Sequence, residues 1–437
     1  MLNSKPPVQI AFILCSGSHF ERKVTVKSKI FAFVAALGLM SLGAHAQQES
    51  TPWIETFQAS PATYSMSLPL PKNLPSKYEY LAFTGPVHGT LRYRFGISAG
   101  GSRIQVKLSN ELGDTPLKID GASIALATGE MDAVPGSMKR LTFDGKDSIV
   151  LPPGAPALSD PVDLKVGALS ELVASVLVTQ EIAVQPLGGA ALLFSEGDEL
   201  LSEKFHSTRR ISSRPLVTAV LVKPERPTRV VVALGDSITD AVRDTPTVPH
   251  GWAAVLASRV SAHADKTPIA VVSAGIGGNR VTNPGWGPAA LARLDRDVLS
   301  TPGLRYVILL EGINDIGFSG KTVFGAQPDL NVADLITGYQ QIAARAHARG
   351  IKIFAGTMTP FQGAPYFSEE KEQMREIANA WIRKSSSFDG VIDFEAIVRD
   401  PASPNRVKAE YDSGDHLHPN QNGYKAMGEA IDLNLFR

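Results

Sequence analysis

From Thr51 to about Leu221, hydrophobic residues recur at every second position. In Leu91-Arg92-Tyr93-Arg94-Phe95-Gly96-Ile97 they alternate with polar residues or glycine, and they alternate again in Arg103-Ile104-Gln105-Val106-Lys107-Leu108. A period of two places successive side chains on opposite faces of a strand. With Ala99-Gly100-Gly101 between them, the two runs predict a β-hairpin with one wet face. Further strands are predicted at 122–127, 148–151, 173–178 and 216–222. Turns such as Pro152-Pro153-Gly154 separate them, and no long helical period intervenes. Many short strands with regular turns predict a β-sandwich.

Pro224-Glu225-Arg226-Pro227 reads as an extended linker, and beyond it the pattern changes. Residues 230–234 form an unbroken apolar run rich in β-branched side chains, as expected for a strand buried on both faces. Similar runs recur at 269–272, 306–310, 351–355 and 391–392. Helical periods lie at 252–263, 334–349 and 368–384, and a last helix is predicted from about Asn422. The second of these starts acidic and ends basic, which suits the helix dipole. Alternating strands and helices predict an α/β region with a parallel sheet covered on both faces.

At 437 residues the chain suits about two domains. Lys plus Arg equals Asp plus Glu at 43 each, so global charge gives no argument for a nucleic-acid or anionic-membrane partner. Residues 1–46 stand apart. Arg22, Lys23, Lys27 and Lys29 form a basic cluster, 30–42 is apolar, and Ala44-His45-Ala46 ends in small residues. That order is a secretory signal with cleavage near Ala46, and the apolar run is too short for a stable membrane anchor. The residues ahead of Glu21 fall outside the pattern. Cleavage would remove Cys15, the only cysteine, and leave a mildly acidic chain that folds without disulfides. The expected organisation is a signal peptide at 1–46, a β-sandwich at 47–227 and an α/β domain at 228–437, exported to the periplasm or beyond.

Ligands of open α/β sheets bind beyond the carboxyl ends of the strands, so the chemistry is sought after each apolar run. The first is followed by Gly235-Asp236-Ser237-Ile238-Thr239-Asp240, and the second by Ser273-Ala274-Gly275-Ile276-Gly277-Gly278-Asn279-Arg280. The third is followed by Glu311-Gly312-Ile313-Asn314-Asp315, and Asp415-His416-Leu417-His418-Pro419-Asn420 lies just before the last helix. Their jobs are complementary. A serine hydroxyl needs an adjacent base, histidine supplies one, and a carboxylate fixes its tautomer. Asp415 and His418 are spaced to meet across one helical turn. The N–H of Ser237, the N–H of Gly278 and the amide of Asn314 supply donors for an oxyanion.

Each piece has a plainer reading. Gly-Asp-Ser is a common turn, the glycines serve backbone geometry, and Asn314 closes a turn. His416 with His418 and Asp415 reads as a metal pair, but no third ligand cluster accompanies it. Asp236 and Asp240 are expected to hold the serine loop, and Glu311 to brace its own. Asp393 and Glu395, the nearest thing to a glycosidase pair, read as loop residues. Trp53 reads as sandwich core, and His88, His206, His250, His263 and His347 show no metal-ligand spacing.

Together, Gly235-Asp236-Ser237, Gly278, Gly312-x-Asn314-Asp315 and Asp415-x-x-His418 resemble the four blocks of the SGNH, or GDSL, hydrolases, over about 229 to the C-terminus. The resemblance implies a three-layer flavodoxin-like fold, Ser237 as nucleophile, Asp415 and His418 completing a triad, and Gly278 and Asn314 as oxyanion donors. It implies no metal or organic cofactor. Gly275 or Gly277 replaces Gly278 if the turn aligns differently, and His416 is a rival base, although the family's spacing favours His418.

The front half, through residues 101–113 and Ala157-Leu158-Ser159-Asp160-Pro161-Val162, is similar to secreted bacterial SGNH proteins with a β-rich front domain. These resemble arylesterases found beside xylan-degrading enzymes. The expectation is a serine esterase acting on short-acyl, chiefly acetyl, esters of carbohydrates or small alcohols. Lipid or aryl ester hydrolysis, acyl transfer, or a non-catalytic carbohydrate-binding role are the alternatives.

Overall fold

Val230 to Leu234 are buried at all five positions, the burial expected where a strand is covered on both faces. The structure, a computed structural model, describes residues 51–62, 86–183, 190–207, 209–213, 216–241, 251–263, 267–322 and 325–437. The secretory-signal features of residues 1–46, Cys15 among them, and His250 lie outside these residues.

Five strands form a wholly parallel sheet: β1 (Arg229–Gly235), β2 (Ile269–Gly275), β3 (Leu304–Leu310), β4 (Lys352–Gly356) and β5 (Gly390–Ile392). Their order is β2-β1-β3-β4-β5. The order reverses at β1, which makes its carboxyl end the switch point where ligands bind. Gly235 stands in register with Gly275 of β2 and Leu310 of β3, so three loops leave the sheet side by side.

The helices are α1 (Ser237–Asp240), α2 (Trp252–Ala262), α3 (Ala290–Leu294), α4 (Ile313–Gly317), α5 (Val332–His347), α6 (Glu369–Lys384), α7 (Phe394–Val398) and α8 (Gln421–Ala430). The long ones match the predicted helices within one or two residues at their ends. Asn331 caps α5 by accepting the Ala333 N–H, and Ser368 caps α6 by accepting the Lys371 N–H. The sequence pattern missed α1, α3, α4 and α7, which span too few residues to show a period.

The N-terminal part is β-rich. One antiparallel sheet runs in the order Ile54–Gln58, Val217–Val222, Gly101–Ser109, Val162–Val166. The other includes Arg209–Ser213, Ala190–Ser195, Val87–Gly96, Glu171–Ile182 and Gly121–Thr128, in that order. The predicted hairpin is therefore corrected. Val87–Gly96 and Gly101–Ser109 are both strands, but they belong to different sheets, and Ala99-Gly100-Gly101 carries the chain from one to the other.

The wet face is corrected as well. Arg92 is fully buried. Its guanidinium donates to Ser175 Oγ (2.7 Å) and to the carbonyls of Met131, Glu199 and Ser202, and it lies over the Phe205 ring at 4.4 Å. Loops at 129–132 and 196–205 cover that face, and the buried cation is tolerated because its donors are used. Trp53, expected in this core, is only half-buried, since it precedes the first strand.

Pro224–Pro227 joins Val217–Val222 to β1, yet the two parts share one hydrophobic cluster. The Glu55 N–H donates to Pro302 O (3.2 Å), and the Val271 N–H of edge strand β2 donates to Ser98 Oγ (3.0 Å).

Candidate active site

Gly235 ends β1 at a point where a side chain would not fit: a Cβ there would lie 2.2 Å from Thr239 Oγ1 and 2.4 Å from Leu310 O. Asp236 then turns the chain. It is extended, and its carboxylate accepts the Ile238 N–H (2.9 Å) as the cap of α1. Ser237 is thereby the first residue of a helix. Its own N–H is one of the orphan donors of a helix start, and its side chain stands at the carboxyl edge of the sheet.

The Ser237 hydroxyl meets His418 Nε2 at 2.7 Å, and His418 Nδ1 lies 2.5 Å from Asp415 Oδ2. An ionised carboxylate only accepts, so Nδ1 carries the proton and Nε2 is the acceptor for Ser237. The other oxygen of Asp415 accepts the N–H groups of Leu417 (3.0 Å) and His418 (2.8 Å). Burial alone would raise this carboxyl. The bonds and charge of His418 and the Leu417 N–H override it and hold Asp415 well below the usual carboxylate range. The two residues do not share a helical turn, as their spacing had predicted: they lie in a loop closed by these backbone bonds, and α8 starts only at Gln421.

His416 sits elsewhere. Its Nδ1 pairs with Asp412 Oδ2 (2.6 Å), and Asp412 Oδ1 also accepts the N–H groups of Gly414 and His416. His416 has a positive φ of 62°, and its ring packs on Gly363. Asp412 thus organises the loop that presents His418.

On the other side of Ser237, Gly278 has φ +70, a conformation glycine adopts without strain, and Trp286 occupies the space where a Cβ would be. Gly277 donates its N–H to Asp240 Oδ2 (3.2 Å), and Gly275 donates to Ser273 Oγ (3.3 Å). Of the three glycines weighed as oxyanion donors, these two have their N–H groups engaged. Asn314 is buried at the start of α4. One hydrogen of its Nδ2 goes to Asn279 O (3.0 Å), and its Oδ1 accepts from Tyr366 OH (3.3 Å), which leaves one amide hydrogen for a ligand. Asp315 ties this loop to the neighbouring one by accepting Val281 N–H, Thr282 N–H and Thr282 Oγ. Asp236 holds the serine loop as expected, while the Asp240 carboxylate reaches across to the Gly277 N–H of the glycine-rich loop.

A buried charge cluster lies beneath. Arg293 of α3 donates to Asn279 Oδ1 (2.9 Å), Ala274 O (2.6 Å), Gly235 O (3.0 Å) and Asp297 Oδ2 (3.2 Å). Glu311 is 3.6 Å from the same guanidinium, and neither of its carboxylate oxygens has a hydrogen-bond partner. Its expected loop-bracing role is corrected: only its backbone carbonyl braces, by accepting Tyr339 OH (2.7 Å). Burial, opposed by Arg293, pushes the Glu311 carboxyl well above its ordinary value, and burial, opposed by the Ile238 N–H and His418, pushes Asp236 up to about 7.

Sequence reading did not single out Arg293 or Asn279. Asn279 stood beside a flagged glycine. Arg293 carries no signal, since it reaches the site only through the fold. Asp393 and Glu395 are engaged by Arg383, and Glu395 also by Arg375, in an ion-pair network. No group of three or more His, Cys, Asp or Glu side chains among the described residues is placed to hold a metal ion.

Residues 233–426 match the model of the GDSL-like lipase/acylhydrolase family. Among solved structures, the chain is similar to a GDSL-like lipase from Bacteroides thetaiotaomicron VPI-5482, with 19% identity over 48% of this chain and 88% of that one and a TM-score of 0.36. It is also similar to a catalytic mutant of an acetylxylan esterase from Geobacillus stearothermophilus, with 18% identity over 46% of this chain and 91% of that one and a TM-score of 0.36. No curated protein matches the chain. Residues 233–426, which include the serine, asparagine and histidine loops, form a GDSL-like lipase/acylhydrolase domain, and the protein is an ester hydrolase.

Proposed function

We propose that the protein is an exported serine esterase in which Ser237 attacks the ester carbonyl and His418 takes its proton. The observation that carries this reading is the placement of His418 between Ser237 and Asp415, at 2.7 and 2.5 Å. Asp415 fixes the tautomer and stabilises the imidazolium. The tetrahedral oxyanion rests on the N–H groups of Ser237 and Gly278 and on the free amide hydrogen of Asn314. His418 returns the proton to the leaving alcohol, and water activated by the same imidazole clears the acyl-enzyme.

The substrate is an ester of a short acyl group, acetyl first, on a carbohydrate or small alcohol. In residues 282–288 the only large apolar side chain is Trp286, and its ring is engaged with Gly278 and Phe318. Asn283 and Pro284 are the exposed members of that loop. Such an entrance favours a polar alcohol over a lipid chain. Among the described residues, no helix is long and apolar enough to cross a membrane.

The same reading takes 1–46 as a secretory signal, 47–227 as a β-sandwich and 228–437 as a three-layer SGNH hydrolase domain. Its supports are the basic-apolar-small order of residues 22–46, the two antiparallel sheets, and the pairing of α2 with α8 and of α5 with α6. The test is hydrolysis of para-nitrophenyl acetate by the mature protein and by Ser237→Ala, followed by acetate release from acetylated xylan. Turnover by the wild type alone supports the triad. Equal rates in both would sink it.

A further inference from the structure

Arg293 makes three bonds to the loops that meet at Ser237. Nε holds the side chain of Asn279, while Nη1 and Nη2 hold the carbonyls of Ala274 and Gly235 at the ends of β2 and β1. Asn279 in turn presents its own carbonyl to Asn314 Nδ2 (3.0 Å), and its amide donates to Trp286 O and Pro288 O. The direction of the Asn314 amide is thus set by Asn279, and that of Asn279 by Arg293. Arg293 is fully buried, so no solvent competes for these bonds.

The far side of Arg293 is held from the β-rich region. Its Nη1 reaches Asp297 Oδ2 (3.2 Å) and Ser60 Oγ (3.5 Å). Gln58 Nε2 donates to the Asp297 carbonyl (2.5 Å). Arg296 clamps the Asp297 carboxylate and donates to Pro61 O (3.0 Å). The end of the strand Ile54–Gln58 and the residues after it are therefore bonded to Arg293, Arg296 and Asp297, which lie behind the oxyanion loop.

The geometry points to Arg293 as the positioning residue of the oxyanion site, and to residues 58–61 of the β-rich region as the strut that holds it through Asp297. The inference rests on the serine-esterase reading and adds a task for the front region: it sets the aim of Asn314 from behind, without touching substrate. Oxyanion donors act by preorganisation, and a misplacement of about 1 Å costs about 10²-fold in rate.

The experiment is steady-state hydrolysis of para-nitrophenyl acetate by the full mature chain, with Ser237→Ala as reference and circular dichroism as the check on folding. Arg293→Lys keeps the charge and loses the fork, and should lower kcat about 10²-fold with KM within about twofold. Gln58→Ala removes one bond of the strut and should lower kcat about fivefold. The midpoint of the pH–kcat profile should not move in either variant, because neither alters the base.

The decisive readout is coupling. In an Asn314→Ala background the Arg293→Lys loss should shrink at least about tenfold, and the Gln58→Ala loss should vanish. Losses that add in full to that of Asn314→Ala would overturn the proposal, since a merely structural weakening is indifferent to Asn314. If Arg293→Lys does not fold, Gln58→Ala decides: wild-type kcat overturns the proposal, and a loss cancelled by Asn314→Ala upholds it. Wild type and Ser237→Ala equally active would instead refute the underlying esterase reading.

Discussion

Asp415 holds His418 twice, its Oδ2 accepting from the ring Nδ1–H at 2.5 Å and its Oδ1 accepting from the backbone N–H of the same residue at 2.8 Å. The carboxylate therefore fixes both the loop and the ring. Asp415→Asn should lower kcat by about 10²–10⁴-fold, because the amide no longer enforces the Nδ1–H tautomer. His418→Ala should match Ser237→Ala in residual rate, since groups acting as one unit are not additive. A rate ratio near one between Asp415→Asn and wild type would contradict this.

His416 offers a contrast within the same loop. Its partner is Asp412, not Asp415. His416→Ala should cost less than about tenfold in kcat, acting only through the loop, whereas His418→Ala removes the proposed base. Parallel kinetics on the two variants would show it. Equal losses would mean that the roles of the histidines are shared or exchanged.

Asn314→Ala should lower kcat about 10²–10³-fold with little change in KM, the loss typical of one oxyanion donor. Tyr366→Phe removes the 3.3 Å bond to the Asn314 carbonyl oxygen and should cost about tenfold or less. A large rise in KM for Asn314→Ala would instead place that amide in ground-state binding.

Glu55 tests the linkage between pH and stability. Burial, partly offset by Lys107, pushes its carboxyl up to about 8. A raised carboxyl favours the folded state fully below its unfolded pKa, and the benefit is lost as pH rises through the folded one. Wild-type stability should fall by on the order of 1 kcal/mol per pH unit between about 4.5 and 8 relative to Glu55→Gln. In thermal melts the Tm advantage of Glu55→Gln should grow by ~5 °C over that window and then level off. Parallel Tm curves would show that Glu55 is ionised in the fold.

Arg92 is the corresponding test in the β-rich region. Arg92→Ala removes the guanidinium bonds to the carbonyls of Met131, Glu199 and Ser202 and opens a cavity beneath Phe205. The cost should be about 3–5 kcal/mol, read as a loss of ~5 °C in Tm. An unchanged Tm would mean that water replaces the guanidinium.

What the sequence disclosed follows from range. Apolar runs located all five parallel strands, even with Lys352 interrupting the fourth, because burial of a central strand is a local property of the run. Motif spacing singled out Ser237, Asn314 and His418, because each follows a strand or precedes a helix, and the fold brings His418 to Ser237. Alternation located Val87–Gly96 and Gly101–Ser109 but not their sheets, since period two is the same for a hairpin and for a strand that changes sheet. It also assigned Arg92 to solvent, because the loops that bury it are remote in sequence. Arg293 was silent for the same reason: each of its bonds is to a residue whose proximity only the tertiary fold creates, apart from Asp297 one helical turn away.

The bond from Val271 to Ser98 has a meaning beyond the site. β2 is the outer strand of the parallel sheet, and an unprotected outer strand is a template for another chain. Here one of its amides is taken by Ser98, and the strand Ile54–Gln58 packs against it. The front region acts as a stopper on the sheet's open side. A catalytic half produced alone from Arg229 would carry that side bare, and would be expected to self-associate through it however intact its serine and histidine remained.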